Sequence, residues 1–283
     1  MCEYKIIADS SCELPKNLKN DPRFERIPFR VEIDGVPVRD GKNINIARLL
    51  KAMELSKRAP KAACPSPDLF LKAIEGSLAK RIYIITISSR LNKCYDSAMM
   101  AKRIYEAENE DKEICVIDSR TASGGECLIA LKITELERKY GGDFRKIWSE
   151  IEEYRDQMKT IAVVNNVEPL KKDGFFSRTG AKISASLHIK SLFGEKNGEI
   201  VQLGKYLGLQ KAWQEMAASV VAGLGKKKDK KNRIVITHCN NRKGAEMIKH
   251  LIEMKTGIQD IIILSTSGMS SLFANNGGII VAY

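Results

Sequence analysis

Three times in the first half of the chain an apolar run ends in a polar turn that leads into a helical pattern. Tyr4 to Ala8 runs into Asp9-Ser10-Ser11-Cys12-Glu13-Leu14-Pro15, a turn with helix-capping residues. Ile82 to Ile87 is nearly all apolar, as expected of a strand buried on both faces, and runs into Ser88 to Ala98 and a long helix. Glu113 to Ser119 repeats the arrangement, and Gly124-Gly125 leads into a helix from Glu126 to Tyr140. Strand, turn and helix in repeated succession predict a parallel sheet covered by helices. The polar turns then share the carboxyl edge of that sheet, where ligands usually bind.

The length of 283 residues exceeds the usual single domain, and a composition 43% hydrophobic and 6% aromatic is ordinary for a globular protein, so two domains are expected. Phe29 to Ile33 alternates and turns at Asp34-Gly35 into Val36-Pro37-Val38, a predicted hairpin. Ile46 to Ser56 reads as a helix, Lys61 to Cys64 as a loop of small residues, and Ser66 as the cap of a helix that opens at Pro67. After a helix from Phe144 to Gln157 the pattern changes at Thr160 to Val164, and later strands pair across short turns. Leu192-Phe193 joins Ile200 to Leu203 as a hairpin; helices follow at Gln210 to Leu224 and Ala245 to Met254, and strands at Arg233 to Thr237, Asp260 to Leu264 and Gly277 to Tyr283. The expectation is an α/β protein with an N-terminal parallel α/β domain over 1–158 and a C-terminal mixed α/β domain over 159–283.

Several function classes are disfavoured. There is no G-x-G-x-x-G after the first strand and no G-x-x-x-x-G-K-[ST], so no nucleotide cofactor is expected. The seven cysteines, Cys2, Cys12, Cys64, Cys94, Cys115, Cys127 and Cys239, are odd in number and form no C-x-x-C pair, which signals neither a disulfide frame nor a zinc site. An α/β hydrolase using Ser88, Ser89 or Cys94 is the alternative from another class, but it lacks the G-x-S-x-G elbow and has only His238 as a following base. The net charge of +12 suits an anionic membrane surface or an acidic partner. The run Lys226 to Lys231 has no aromatic beside it and reads as a solvated loop, so no nucleic-acid partner is expected. With no leader and no run of about eighteen apolar residues, a cytoplasmic location is expected.

Taken in order, these turns resemble the DegV family of bacterial fatty-acid-binding proteins, which includes the binding subunits of fatty acid kinase. The carriers are Ala8 to Pro15 (similar to T-D-S-T-x-x-L-P), Asp34-Gly35 with Arg39-Asp40-Gly41, Cys64-Pro65-Ser66-Pro67, and Ile87 to Leu91 with Tyr95 and Ser97-Ala98. Val116 to Ser123, His238-Cys239-Asn240-Asn241 and Gly277-Gly278 complete the set, and the resemblance runs end to end. It implies two α/β domains, a palmitate-like fatty acid in a cleft or tunnel between them, no catalysis and no cofactor or metal. The implied partners are a fatty acid kinase subunit and a transient membrane contact. A third reading keeps the fold and loses the lipid.

The resemblance also implies a carboxylate clamp built from T-S-Q-P, S-S-x-L-S-G-T, a histidine near the C-terminus and arginines of the second domain. Here T-S-Q-P falls on Ala62-Ala63-Cys64-Pro65, Asn92 and Cys94 replace the serine and threonine of L-S-G-T, and Phe175 and Leu207 stand where the arginines would be. Ser270 to Ala274 contains no histidine. The expected ligand-binding set is therefore Ala63, Cys64, Ser66, Ser89, Asn92, Cys94, Phe175, His238, Ser270 and Ser271. Asn92 is expected to donate through its amide, Ser66 and Ser89 through hydroxyls, and helix N-termini through backbone N–H groups, giving a weaker or altered clamp. Asp9 and Asp118 are expected to shape their loops, His188 and His250 to be structural or surface residues, and Cys94 to do no covalent chemistry.

Overall fold

The computed structural model of the chain describes residues 3–165, 188–225 and 232–283. Phe175 and the run Lys226 to Lys231 lie outside the described residues. The first sheet is four-stranded and wholly parallel, in the order β2 (Phe24–Ile27), β1 (Tyr4–Asp9), β6 (Arg81–Thr86), β7 (Glu113–Asp118). Its strands are apolar on both faces because both are covered. Ile6, Tyr83, Ile85 and Ile117 meet α5 (Gly124–Tyr140) and α6 (Phe144–Gln157), while Ile7, Ile82, Ile84 and Val116 meet α3 (Pro67–Glu75) and α4 (Cys94–Glu108).

The second sheet is six-stranded and mixed, in the order β10 (Glu199–Leu207), β9 (Ile189–Lys196), β8 (Thr160–Val164), β13 (Ile279–Ala282), β11 (Ile234–His238), β12 (Ile261–Ser265). One face carries Ile161, Val163, Ile234 and Ile236 against α7 (Leu209–Gly223) and α8 (Arg242–Thr256). The other face divides its contacts. Val235 and Ala282 pack on α5, so this helix lies between the two sheets and is buried on most of its circumference. Ala162 and Ile280 pack instead with α2 (Ile46–Leu55), α9 (Gly268–Ala274) and a small antiparallel sheet, β4 (Val36–Arg39), β3 (Arg30–Ile33), β5 (Lys61–Ala63).

Lys61 to Ala63, expected as loop, pairs with β3 in the register Val31 to Ala62. A three-residue strand with alanine side chains has no alternation to read. The hairpin at Asp34-Gly35 forms as expected, and so does the one at Asn197-Gly198, whose two residues have φ of 52° and 83°. A Cβ on Gly198 would lie 2.5 Å from Ser88 Oγ, so only glycine lets this hairpin tip press against the first sheet's loops. Gly278 admits β13 beside α9 in the same way: a Cβ there would lie 2.0 Å from the Ala274 carbonyl oxygen.

Candidate functional site

A cavity of about 720 Å³ opens over the carboxyl edge of the first sheet, within the ordinary range for small-ligand pockets. Each wall follows from the topology. The turns after β1, β6 and β7 supply Ser11, Ile87, Leu91, Asn92 and Arg120 to Ala122; the end of β5 supplies Ala62, Ala63 and Cys64. The second sheet adds Ile161, Ala162, Phe193, Ile200 and Ile280, and α9 adds Met269, Ser270 and Phe273. Phe273 meets Phe193 edge to face at 6.3 Å and forms wall, leaving the space open. Most of the lining is hydrocarbon. Its polar side chains are Ser11, Asn92, Thr121, Thr160, Glu195 and Ser270, and the cations Lys61, Lys93 and Arg120 are exposed.

Behind Ser11 and Ser270 lies a buried polar cluster. Asp9 accepts from the Ser11 N–H at 2.9 Å and the Ile87 N–H at 2.7 Å, which ties the β1 and β6 turns together. Ser11 Oγ stands 2.6 Å from Asp9 and 2.5 Å from Glu126. Glu13 accepts from Ser123 Oγ and from the Ser267 N–H, and Asp40 accepts from the N–H groups of Gly268 and Met269 at 2.8 Å each. The N-terminus of α9 is thus held by two carboxylates from the first forty residues of the chain. Burial raises the pKa of Asp9, Glu13 and Glu126, most strongly for Glu126, where the charge of Asp9 adds to it.

Of the sequence-derived set, the structure brings Ala63, Cys64, Asn92 and Ser270 onto the cavity wall. Ser66, Ser89, Cys94, His238 and Ser271 do not line it. Ser66 is exposed at the N-cap position of α3 and, against the expected cap, makes no side-chain cap bond. Ser89 gives its proton to Asp118 Oδ2 at 2.5 Å, and Asp118 also accepts the N–H groups of Ser89 and Arg120, the loop-shaping role expected of it. Cys94 is fully buried, and burial together with Asp9 pushes its thiol well above the ordinary range. His238 accepts the Asn241 N–H on Nδ1, with its pKa lowered by burial and by Arg242. Ser271 pairs with Thr266, Leu207 is exposed on β10, and His188 and His250 are exposed. Sequence reading passed over Ser11, Thr121, Thr160 and Phe193 as wall residues; Ser11 and Thr121 carried a signal, their places in the strand-end turns after β1 and β7.

Among the described residues no group of acids, cysteines and histidines is placed to hold a metal, and no helix is long and apolar enough to cross a membrane. A family model described as "Uncharacterised protein, DegV family" matches residues 3–283. A DegV domain-containing protein of Streptococcus pneumoniae is 32% identical over 288 aligned residues, covering 99% of this chain and 98% of that one. Among solved structures, a DegV family protein from Ruminococcus gnavus, described with vaccenic acid, superposes with a TM-score of 0.93 at 34% identity and 99% coverage of both chains. The fatty acid kinase B3 protein of Streptococcus pneumoniae, loaded with linoleic acid, superposes with a TM-score of 0.87 at 30% identity, covering 100% of this chain and 99% of that one. With the parallel sheet, the mixed sheet and the matched span in agreement, this chain belongs to the DegV family.

Proposed function

We propose that the cavity holds a long-chain, palmitate-like fatty acid between an N-terminal unit of residues 1–158 and a C-terminal unit of residues 159–283, and that the chain presents it to a fatty acid kinase subunit without acting on it. The observation that carries this reading is an open-mouthed cavity of about 720 Å³ whose lining is mainly hydrocarbon with a few polar side chains, among them Ser11, Asn92 and Ser270, the chemistry an amphiphile requires. Burying a methylene is worth about 0.8 kcal/mol, so a fifteen-carbon tail offers on the order of 10 kcal/mol as an upper bound. That exceeds the 1.5–3 kcal/mol or so of a charge-assisted hydrogen bond, so the tail supplies most of the affinity.

Ala63, Cys64, Asn92 and Ser270 are the ligand contacts of this proposal. Two related proteins, 34% and 30% identical, are described with vaccenic and linoleic acid. A non-catalytic role is supported by Ser89, whose proton goes to Asp118, and by Cys94, whose thiol burial keeps protonated. The surplus of cations favours brief contact with an anionic bilayer, and a cytoplasmic location completes the proposal.

Mass spectrometry of an organic extract of the freshly purified protein tests this directly, with a co-purified fatty acid as the expected finding. Added palmitate at about 100 times its Kd should stabilise the fold by roughly 2.7 kcal/mol. No lipid in the extract and no rise in melting temperature would sink the reading.

A further inference from the structure

We infer, resting on the acyl-binding reading, that the site runs on past the Thr121–Thr160 pair into a second chamber and so takes saturated chains longer than palmitate with rising affinity. A cavity of about 480 Å³ adjoins the first, and Arg120, Thr121, Thr160, Ile161, Gly194 and Glu195 belong to the linings of both. The topology makes this passage. The β8–β9 ladder runs from Val164 and Ser191 to Ile161 and Gly194 and, among the described residues, stops there. Beyond that point the two strands make separate contacts with the first unit. The tip of the β9–β10 hairpin meets Ser88, whose Oγ donates to the Gly198 carbonyl at 2.7 Å, while Thr160 at the start of β8 is hydrogen-bonded through Oγ1 to Thr121 Oγ1, also at 2.7 Å. Gly194 brings no side chain to the junction. A Cβ there would lie 2.7 Å from Leu203 Cδ1, so Leu203 lies across the glycine as part of the second chamber's wall.

What enters the second chamber is the methyl end of the chain. Ala63, Cys64, Asn92 and Ser270, the proposed ligand contacts, line the first cavity and not the second. At the junction the two threonine hydroxyls satisfy each other and demand nothing of a passing hydrocarbon. Thr121 is seated over Gly125 of α5, where a Cβ would lie 2.4 Å from its Oγ1 and Cγ2, so the pair is a fixed sill. Past it Met158, Ile161, Leu203 and the Tyr283 ring offer apolar surface. The chamber's arginines are engaged: Asp156 holds Arg120 at 3.0 Å and Arg155 at 2.8 Å. Its lysines, Lys159 and Lys196, are exposed to solvent. Methylenes gain by leaving water here without disturbing an ion pair.

The test is displacement of a bound fluorescent acyl probe by myristate, palmitate and arachidate, each kept below its micelle concentration. It uses the wild-type chain and Leu203→Trp, which fills the second chamber from a half-exposed position. Full burial of one methylene is worth about fourfold in affinity, and in a chamber open to solvent arachidate is expected to bind about tenfold more tightly than palmitate to the wild-type chain. Leu203→Trp should cancel that gain and leave myristate and palmitate binding as in the wild type. Ser219→Phe narrows the same chamber from α7 and carries the same expectation should the first variant fail to fold. Arachidate no tighter than palmitate in the wild-type chain overturns the inference, the second chamber being a crevice for water, and leaves the acyl-binding reading standing. Equal loss of myristate and arachidate in the variants also overturns it, because the substitutions then act on the fold or on the first cavity. If none of the three acids displaces the probe, the acyl-binding reading falls and the inference falls with it.

Discussion

Glu126 is buried on the first turn of α5, with Oε2 lacking any partner and Asp9 as its nearest charge. Burial and that charge raise its folded pKa well above the ordinary value of 4.5, so the folded chain retains a proton that the unfolded chain releases. Stability from this group is therefore complete below about pH 4.5 and declines as the pH rises toward the folded pKa, by up to about 1.4 kcal/mol per unit. Glu126→Gln removes the titration, and its melting temperature should gain on the wild type as the pH rises above about 4.5; parallel curves would show that Glu126 is ionised in the fold. Cysteine reactivity gives a second check at this scale. Cys64 is the only half-buried cysteine among those described, and it lines the cavity. N-ethylmaleimide should label it ahead of Cys94, Cys115 and Cys127, and palmitate should slow that labelling several-fold, as peptide mapping would show.

Among the elements, α9 has only seven residues and is too short to persist alone, so its place depends on Asp40 and Glu13. Asp40→Ala leaves the N–H groups of Gly268 and Met269 without acceptors and should cost about 3 kcal/mol, read as a shift of the denaturation midpoint. Neither carboxylate was legible in advance: Asp40 lies 228 residues from Gly268 and Glu13 254 from Ser267, and a carboxylate at a distant helix N-terminus leaves no local pattern. The same reason explains which strands could be read. The run Ile82 to Ile87 announces burial on both faces, and β6 is there. In contrast β2 reads Phe-Glu-Arg-Ile, lies at the sheet edge and is half-exposed over three of its four residues, so its sequence resembles that of a surface turn. Gly268-Met269-Ser270-Ser271 has no helical stripe either, and the Ser267 side-chain cap is joined there by the two distant carboxylates.

On the scale of the whole molecule, the cavity is an agreement between distant segments, which is why its edge was legible from the strand-end turns and its far wall was not. Ala162 lies on that far wall with space before it. Ala162→Phe should abolish the palmitate-dependent rise in melting temperature while leaving the circular dichroism spectrum of the unliganded chain unchanged. The charge of +12 acts at longer range: retention on anionic vesicles should fall several-fold between 50 and 300 mM salt, measured by co-sedimentation. One feature of the second sheet governs how all of this is assembled. β13 comes after every other strand in chain order yet lies between β8 and β11, bonded antiparallel to both. Until it emerges from the ribosome, the hairpin side and the β11–β12 side are two fragments with raw edges and no common floor. A cavity walled by this sheet is therefore complete only once β13 has joined its two halves, and the site depends on a segment made after every strand it unites.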